Sequence, residues 1–179
     1  MKTIAIEGAD YFGKSTLAEM LYNELDYILI KLPNERLSSG IRIRNILHGV
    51  HSFDAEEFQR LQNQNKRDTL DCLPSNLTYI FDRYKLSEIV YGLANGLSRE
   101  YVMGLADKIP DPDVTILITG RPYYREDSDI YSGREYQKKV KALYKEEGKN
   151  LDGRVIWICN YDSPEHMLEK VLSELKGVV

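Results

Sequence analysis

Short apolar runs alternate with longer amphipathic stretches along the whole chain of 179 residues. Between the runs, apolar residues recur every three or four positions, which indicates helices with one buried face. Five runs are too short for helices and rich in β-branched residues, and each predicts a buried parallel strand: residues 3–6, 27–32, 77–81, 114–118 and 155–159. The alternation predicts an α/β fold, a doubly wound five-stranded and mostly parallel sheet with helices on both faces.

Capping residues mark several of the predicted helix ends. Asp54 stands before a helix that we expect to end at Pro74, and Ser38 stands before an earlier one. Ser163 followed by Pro164 is typical of a helix start and opens the last helix. The segment 121–133 is polar and has no helical period, so we interpret it as a short lid within one domain that covers residues 1–179.

A glycine-rich stretch lies between the first predicted strand and the first predicted helix. Residues 8–15 read GADYFGKS and fit the phosphate-loop pattern G-x-x-x-x-G-K-[ST]. Gly8 and Gly13 leave room for backbone N–H groups to surround phosphate oxygens, and the start of the helix favours an anion. In this pattern Lys14 reaches the β- and γ-phosphates, and the Ser15 hydroxyl ligates Mg²⁺. The stretch therefore predicts a nucleoside triphosphate site.

Asp82 and Arg83 end the third predicted strand, and Arg121 follows the fourth. Because ligands of doubly wound sheets bind at the carboxyl ends of the strands, we expect these residues to meet the glycine loop in one cleft. Asp82 can hold Mg²⁺ directly or through water, and Arg83 can bind a second phosphate with two hydrogen bonds. Residues 65–68 match N-K-x-D, a guanine-binding pattern, but they lie within a helical period and are interpreted as a polar helix face.

The overall charge narrows the range of partners. The net charge is −4 without a basic block, which argues against nucleic-acid and membrane-surface partners and is compatible with small phosphorylated substrates such as small-molecule nucleotides. Cys72 and Cys159 have neither metal-ligand nor disulfide-framework spacing, which favours a reducing compartment. The first predicted strand begins close to Met1. We therefore expect a cytoplasmic protein without a signal peptide.

Several motifs together resemble the thymidylate kinases, a family of P-loop nucleoside monophosphate kinases. Residues 7–16 match the family opening E-G-x-D-x-x-G-K-[ST]-T, and residues 82–87 match D-R-Y-x-x-S. Residues 112–117 are similar to the family's Pro-Asp strand entry, and residues 129–137 are similar to its lid and the following helix. The resemblance covers three-quarters of the chain or more. It implies transfer of phosphate from ATP to dTMP with Mg²⁺, in an enzyme that is commonly a homodimer.

The resemblance also implies residues that hold the acceptor nucleotide. Asp10 would bond the sugar 3′-OH, Arg83 would hold the monophosphate, and Tyr131 would crowd the 2′ position and select deoxyribose. An arginine on the helix before the Asp-Arg-Tyr strand reads the base in the family, and Arg67 is nearest to that place. Phe58 is the only phenylalanine within reach for stacking on the base.

For ATP and catalysis the resemblance implies a further set of residues. Thr16 completes the phosphate loop, and Arg121 occupies the place from which an arginine stacks on adenine. Arg36 resembles a phosphate-binding arginine of the loop after the second strand and is assigned to the acceptor nucleotide. Lys14 and Arg83 are assigned to catalysis. Because the loop interior contains no basic residue, Arg125, or failing that Arg134, is predicted to reach the transferring phosphate from the lid.

Three alternatives remain open at this point. The polar residues 62–65 could read a different or modified pyrimidine. A deoxynucleoside kinase would need an acidic general base after the second strand, and Glu35 is a conceivable one. A nucleotide-dependent switch without turnover is disfavoured because no D-x-x-G motif lies outside the phosphate loop.

Overall fold

A computed structural model of the chain describes residues 1–123, 130–131, 133–161 and 163–176. Within these residues five strands form one sheet in the order β2-β3-β1-β4-β5, and every neighbouring pair is parallel. The strands are β1 Lys2–Glu7, β2 Ile28–Lys31, β3 Thr78–Asp82, β4 Val114–Thr119 and β5 Arg154–Cys159. The doubly wound sheet is confirmed, and the described part of it is wholly parallel.

Seven α-helices connect and cover the strands in the described part of the chain. They are α1 Lys14–Glu24, α2 Ser38–Leu47, α3 Ala55–Asp71, α4 Lys85–Ala94, α5 Arg99–Ala106, α6 Arg134–Glu147 and α7 Pro164–Leu175. The predicted Asp54 cap is confirmed, because its carboxylate accepts a hydrogen bond from the Glu57 N–H at 2.8 Å. Ser163 caps α7 in the same way. The predicted Ser38 cap is wrong: Leu37 occupies the N-cap position and gives no side-chain hydrogen bond.

The core lies on both faces of the sheet, but the five strands are not equally buried. Strand β1 is central and is buried from Thr3 to Glu7. Ile28 of β2 is 40% exposed and Trp157 of β5 is 38% exposed. The prediction that all five strands are buried is therefore wrong for β2 and β5. The strand order explains the difference, since these two strands form the edges of the sheet.

The carboxyl ends of the central strands bring the glycine loop against its neighbours. A Cβ atom on Gly8 would lie 2.7 Å from the Ile118 carbonyl oxygen at the end of β4, and Gly8 has a φ of +144°. Only glycine fits both the close approach and this backbone conformation. The loop, the end of β3 and the end of β4 therefore share one edge of the sheet. Among the described residues no helix is both long and apolar enough to span a membrane.

Candidate active site

A cleft with a volume of about 750 Å³ opens at the carboxyl ends of the strands. Its walls come from the glycine loop, the ends of β2 and β3, and helices α2, α3 and α4, with Tyr123 and Tyr131 closing the side next to the lid. Most residues assigned above to a nucleotide site line this cleft: Asp10, Gly13, Lys14, Ser15, Thr16, Phe58, Asp82, Arg83 and Tyr131.

The glycine loop folds around the Lys14 ammonium. Gly13 has a left-handed φ of +86° and immediately precedes α1. The Lys14 Nζ atom donates a hydrogen bond to the Ala9 carbonyl oxygen at 2.6 Å and lies 3.8 Å from Asp10 Oδ1. Burial and the neighbouring positive charge of Arg83 lower the pKa of Lys14 to about 8. A bound phosphate would raise this pKa again, since an anion stabilises an ammonium group beside it.

The two residues assigned to Mg²⁺ are in direct contact. The Ser15 hydroxyl donates a hydrogen bond to Asp82 Oδ2 at 2.6 Å, and Asp82 is 7% exposed. A hydroxyl and a carboxylate at the end of a strand are ligands that Mg²⁺ accepts, so Ser15 and Asp82 would hold the ion here. The donor set fits the metal that the sequence predicts.

Asp10 and Arg83 form an ion pair at the centre of the cleft. Asp10 Oδ2 also accepts hydrogen bonds from the Tyr91 hydroxyl at 2.5 Å and from Gln137 Nε2 at 3.1 Å. Burial alone would raise the pKa of Asp10, but Arg83 and Lys14 outweigh it and hold the pKa well below its usual range. Asp10 is therefore a carboxylate with partners on both oxygens.

Arg83 is held by its backbone as well as by its side chain. Its φ of +71° is unusual for a residue with a Cβ atom, and its N–H donates to the Ile6 carbonyl oxygen at 3.0 Å. The guanidinium also donates to the Tyr144 hydroxyl at 3.1 Å. The turn after β3 therefore points this cation into the cleft beside Lys14, where two phosphates could meet two positive charges.

Glu7 builds the turn that carries Arg83. This buried carboxylate accepts hydrogen bonds from the backbone N–H groups of Tyr84 at 2.9 Å and Ser87 at 3.0 Å, and from the Ser87 hydroxyl. Burial raises the pKa of Glu7, and the hydrogen bonds from Ser87 oppose that rise. Glu7, the last residue of β1, thus caps the start of α4. In the sequence, Glu7 and Ser87 are recognisable only as members of two separate motifs. No pattern near either residue predicts that they pair across 80 residues.

An aromatic wall closes one side of the cleft. Phe58 is 2% exposed and Tyr131 is 7% exposed, and their ring centroids are 6.1 Å apart in an edge-to-face arrangement. Tyr131 lies parallel to Tyr136 with centroids 4.8 Å apart, and its centroid is 5.2 Å from that of Tyr91. The structure therefore brings together two residues that the sequence assigned to the acceptor nucleotide, and adds Tyr91, which the sequence did not single out.

Helix α3 presents a different residue to the cleft from the one predicted. Phe58, Gln62 and Lys66 follow one another at four-residue intervals and line the cleft. Arg67 is exposed and does not line it. The prediction placed Arg67 at the base, but successive helical residues point about 100° apart. The cation that faces the cleft is the neighbouring Lys66.

The residues that match the guanine-binding pattern are mostly structural. Asn65 is fully buried, accepts a hydrogen bond from the Asn34 N–H at 2.7 Å and donates to the Ser39 hydroxyl at 2.9 Å. Residues 65–68 lie within α3 as predicted. The interpretation as a polar helix face holds for Arg67, which is exposed, and not for Asn65 or Lys66, which are buried.

Lys66 belongs to a buried polar cluster that the sequence analysis missed. Its ammonium lies 3.2 Å from Glu88 Oε2, and these side chains are 4% and 0% exposed. Asn63 Nδ2 donates to Glu88 Oε1 at 2.7 Å, and Gln59 Nε2 donates to the Glu88 carbonyl oxygen at 2.9 Å. Glu88 lies among the apolar residues of α4, and that position was the available signal for a buried carboxylate.

The loop after β2 also differs from expectation. Arg36 is exposed and does not line the cleft, and its N–H donates to Asn34 Oδ1 at 3.1 Å. Arg44 of α2 lines the cleft instead, and its Nε atom donates to Glu35 Oε1 at 2.5 Å. Both arginines are exposed, but only Arg44 borders the cleft, so the phosphate-binding role predicted for Arg36 has no support in the geometry.

The family match accords with this cleft. The family model described as "Thymidylate kinase" matches residues 6–171. The chain belongs to the thymidylate kinase family. The 251L protein of Invertebrate iridescent virus 6 is 30% identical over 155 residues, which are 79% of this chain and 73% of that protein. The thymidylate kinase of Dictyostelium discoideum is 26% identical over 161 residues, covering 80% of this chain and 72% of the relative.

Solved structures of two thymidylate kinases share the fold. The Candida albicans enzyme superposes with a TM-score of 0.78 at 23% identity, covering 98% of this chain and 91% of that one. The Ehrlichia chaffeensis enzyme gives a TM-score of 0.80 at 19% identity, covering 97% and 98%. The P-loop nucleoside monophosphate kinase fold is therefore confirmed.

In this thymidylate kinase family member a second polar region lies beside the glycine loop. The Arg121 guanidinium is 5.4 Å from the ring centroid of Tyr161. Asn160 Oδ1 accepts from the Arg121 N–H at 2.9 Å, while its Nδ2 donates to the carbonyl oxygens of Arg121 and Phe12 at 2.7 and 3.3 Å. Arg121 thus follows the end of β4 as predicted, but it is exposed and does not line the cleft that holds Asp82 and Arg83. Asn160, which the sequence did not single out, joins it to the phosphate loop.

Of the two lid arginines, one lies within the described chain. Arg125 lies outside the described residues, so its predicted catalytic role stays a prediction. Arg134 is the first residue of α6 and is exposed. At the start of the lid segment, the Tyr123 N–H donates to the Tyr11 carbonyl oxygen at 2.7 Å, and the Tyr123 hydroxyl donates to the Asn160 carbonyl oxygen at 3.1 Å. The segment therefore begins bound to the phosphate loop.

Proposed function

We propose that this protein transfers the γ-phosphoryl group of ATP to a deoxynucleoside monophosphate, with dTMP as the first acceptor and dTDP and ADP as products. The observation that carries the proposal is the contact of Asp10 with both Arg83 and Lys14, which joins the phosphate loop to the turn after β3 in one cleft. The membership of the chain in the thymidylate kinase family supports the choice of acceptor.

Phosphoryl transfer depends mainly on positioning and charge neutralisation, and the acceptor phosphate is already an anion. In this proposal Lys14 binds the β- and γ-phosphates and Arg83 binds the acceptor phosphate. Both cations lie beside the same carboxylate, so the two phosphates would be brought close together. No general base is required, because the acceptor oxygen carries no proton that must be removed.

Ser15 and Asp82 would hold Mg²⁺, directly or through water. When bound, the ion supplies charge neutralisation at the β- and γ-phosphate oxygens. The Ser15 hydroxyl donates a hydrogen bond to Asp82. This hydrogen bond keeps both oxygens at one place on the cleft wall, beside the start of α1.

Recognition of the sugar would involve Asp10, Tyr91 and Tyr131. Both oxygens of Asp10 already have partners, so a sugar hydroxyl would have to join or replace one of these hydrogen bonds. Replacement is feasible because a hydroxyl is donor and acceptor at once and can take the place of the Tyr91 hydroxyl. Tyr131 would then border the 2′ position, next to Tyr91.

A coupled assay tests the proposal directly. ADP release is measured with MgATP and a panel that contains dTMP, dUMP, dCMP, dAMP, dGMP and the corresponding nucleosides. We expect turnover with a deoxynucleoside monophosphate, highest with dTMP, and none with nucleosides. The structure disfavours a deoxynucleoside kinase, because Glu35 does not line the cleft and pairs with Arg44. Turnover with thymidine and none with dTMP would refute the proposal.

A different or modified pyrimidine is the second candidate acceptor. The observation that favours it is the polar character of α3 in the cleft, where Gln62 and the Lys66–Glu88 pair stand near Phe58. An amide, an ammonium and a carboxylate can together bind bases with several donor and acceptor patterns. Higher kcat/KM with dCMP or a 5-substituted pyrimidine nucleotide than with dTMP would support this candidate.

We also propose a homodimer and a cytoplasmic location. Ile41 of α2 is 53% exposed, and Val50 and Phe53 of the following loop are 66% and 41% exposed, so this side offers apolar surface to a second copy. The two cysteines are unpaired, which is compatible with a reducing compartment. Sedimentation equilibrium of the wild type and of Ile41→Asp tests the dimer; a monomeric wild type would exclude it. Microscopy of a fluorescent fusion in the native host tests the location.

A further inference from the structure

One side-chain amide binds two tyrosines of the cleft wall. Asn95 follows the last residue of α4 and is half-buried. Its Nδ2 atom donates a hydrogen bond to the Tyr131 hydroxyl at 2.9 Å, and its Oδ1 atom accepts one from the Tyr136 hydroxyl at 2.7 Å. The two phenol rings are stacked with an angle of 2° between their planes. The amide therefore links the two hydroxyls, and the stacking keeps the two ring planes parallel.

Tyr131 is also held at its backbone. Gln137 Nε2 donates to the Tyr131 carbonyl oxygen at 2.8 Å, and the same nitrogen donates to Asp10 Oδ2 at 3.1 Å. The neighbouring Ile130 N–H donates to the Leu47 carbonyl oxygen at the end of α2. Tyr131 is therefore fixed at both ends, by Asn95 at its hydroxyl and by Gln137 at its carbonyl, and the second contact ties it to the central carboxylate.

We infer that Asn95 is a positioning residue for sugar recognition. It acts through Tyr131, whose ring it holds against the part of the cleft beside Tyr91 and Asp10, and it thereby helps the site to discriminate deoxyribose from ribose. The inference rests on the proposed function, because it requires a nucleotide sugar beside Asp10. It assigns a role to a residue outside every motif found in the sequence.

The physical argument concerns rigidity rather than a new contact. A phenol ring excludes a 2′-hydroxyl only if it cannot move aside, and a ring held by one hydroxyl hydrogen bond, a stacked neighbour and a bound carbonyl has little freedom. An amide suits this place because it donates to one hydroxyl and accepts from the other, so one side chain binds both phenols. Removing the amide leaves the Tyr131 hydroxyl without this donor and allows the ring to turn.

The test compares kcat/KM for dUMP and UMP, which differ only at the 2′ position, in the wild type and in Asn95→Ala. We expect the preference for dUMP to fall about fivefold, the factor that corresponds to one net hydrogen bond. The change should appear in KM more than in kcat. Asn23→Ala, an exposed asparagine of α1, is the matched control and should keep the wild-type ratio.

Tyr131→Phe keeps the ring and removes only the hydroxyl that Asn95 binds, so it should reproduce the loss of preference. The double variant should be no worse than either single variant, since both remove the same interaction. Tyr131→Phe also keeps the inference testable if Asn95→Ala fails to fold. A dUMP-to-UMP ratio within twofold of the wild type in Tyr131→Phe would overturn the inference. A wild type inactive on every monophosphate would instead refute the proposed function.

Discussion

The phosphate end of the cleft and its α3 end are built in different ways. At the phosphate end, Lys14 and Ser15 come from one short loop, and Asp82 and Arg83 come from the next strand in the sheet. At the α3 end, Gln62 and Lys66 come from one face of a long helix and meet Glu88 of α4. The first region depends on backbone geometry, whereas the second depends on how two helices are rotated against each other.

The difference teaches which part of the chemistry is fixed by local sequence. Positive φ at Gly13 and Arg83 and the close approach at Gly8 leave the phosphate end few alternative conformations. At the α3 end, residues that face the cleft can be substituted without a change in the positions of the helices. We therefore expect the transfer chemistry to be that of the family and the choice of base to be the variable property. The four predictions below test this contrast.

The largest effect is expected at the lid. Lys14 and Arg83 both lie beside Asp10 in the cleft, and the sequence predicts that Arg125 adds a third cation over the transferring group. Arg125→Ala should lower kcat about 10³-fold, the usual loss for such an arginine, in a steady-state assay with saturating MgATP. Arg154→Ala, an exposed arginine of β5, serves as the control. Near-normal turnover in Arg125→Ala, with a large loss of turnover in Arg134→Ala, would show that Arg134 and not Arg125 is the catalytic arginine.

A second large effect is expected at Lys14. Lys14→Met keeps most of the buried stem and removes the ammonium, so kcat should fall about 10²-fold or more, as for other preorganised donors at developing charge. Thermal unfolding should show a folded protein. Lys149→Met, an exposed lysine in the turn after α6, should behave as the wild type. Turnover reduced less than threefold would show that Lys14 is not at the phosphates.

The two ends also differ in how far sequence reasoning reaches. The strands, the glycine loop and the Asp82–Arg83 turn could be predicted because each is a local pattern whose neighbours follow from the sheet. Arg67 does not line the cleft, and sequence reasoning could not foresee this, because a polar run along a helix does not fix which residue faces inward and a shift of one position turns the side chain by about 100°. The contacts of Glu7 with Ser87 and of Asn95 with Tyr131 join distant segments, and no spacing pattern along the chain predicts them.

The α3 end can be tested through the two adjacent cations. Lys66→Met leaves Glu88 as an uncompensated buried charge and should lower the free energy of unfolding by about 3–5 kcal/mol. Arg67→Met removes an exposed charge and should change it by about 0.5 kcal/mol or less. Urea unfolding measures both. The double variant Lys66→Met/Glu88→Met should recover most of the loss, because no charge is then left unpaired. Equal losses in the two single variants would contradict the assigned orientation of α3.

The smallest predicted effect is the uptake of a proton by Lys14 when MgATP binds at the phosphate end. The free site lowers the pKa of Lys14 to about 8 through burial and the charge of Arg83. A triphosphate beside the ammonium raises that pKa again, so binding at pH 8 should take up about half a proton, and more as the pH rises. Calorimetric titration of MgATP in two buffers with different ionisation enthalpies measures this number. By the same linkage, affinity should weaken above pH 8.

A comparison with Lys14→Met distinguishes proton uptake by Lys14 from proton uptake by other groups. This variant has no ammonium to protonate, so its uptake at pH 8 should be smaller than that of the wild type by about half a proton. Arg67→Met, at the α3 end, should match the wild type. If the wild type and Lys14→Met take up the same number of protons, Lys14 is already fully charged in the free site. The hydrogen bond to Ala9 would then offset the burial of the ammonium, and phosphate binding would add no proton there.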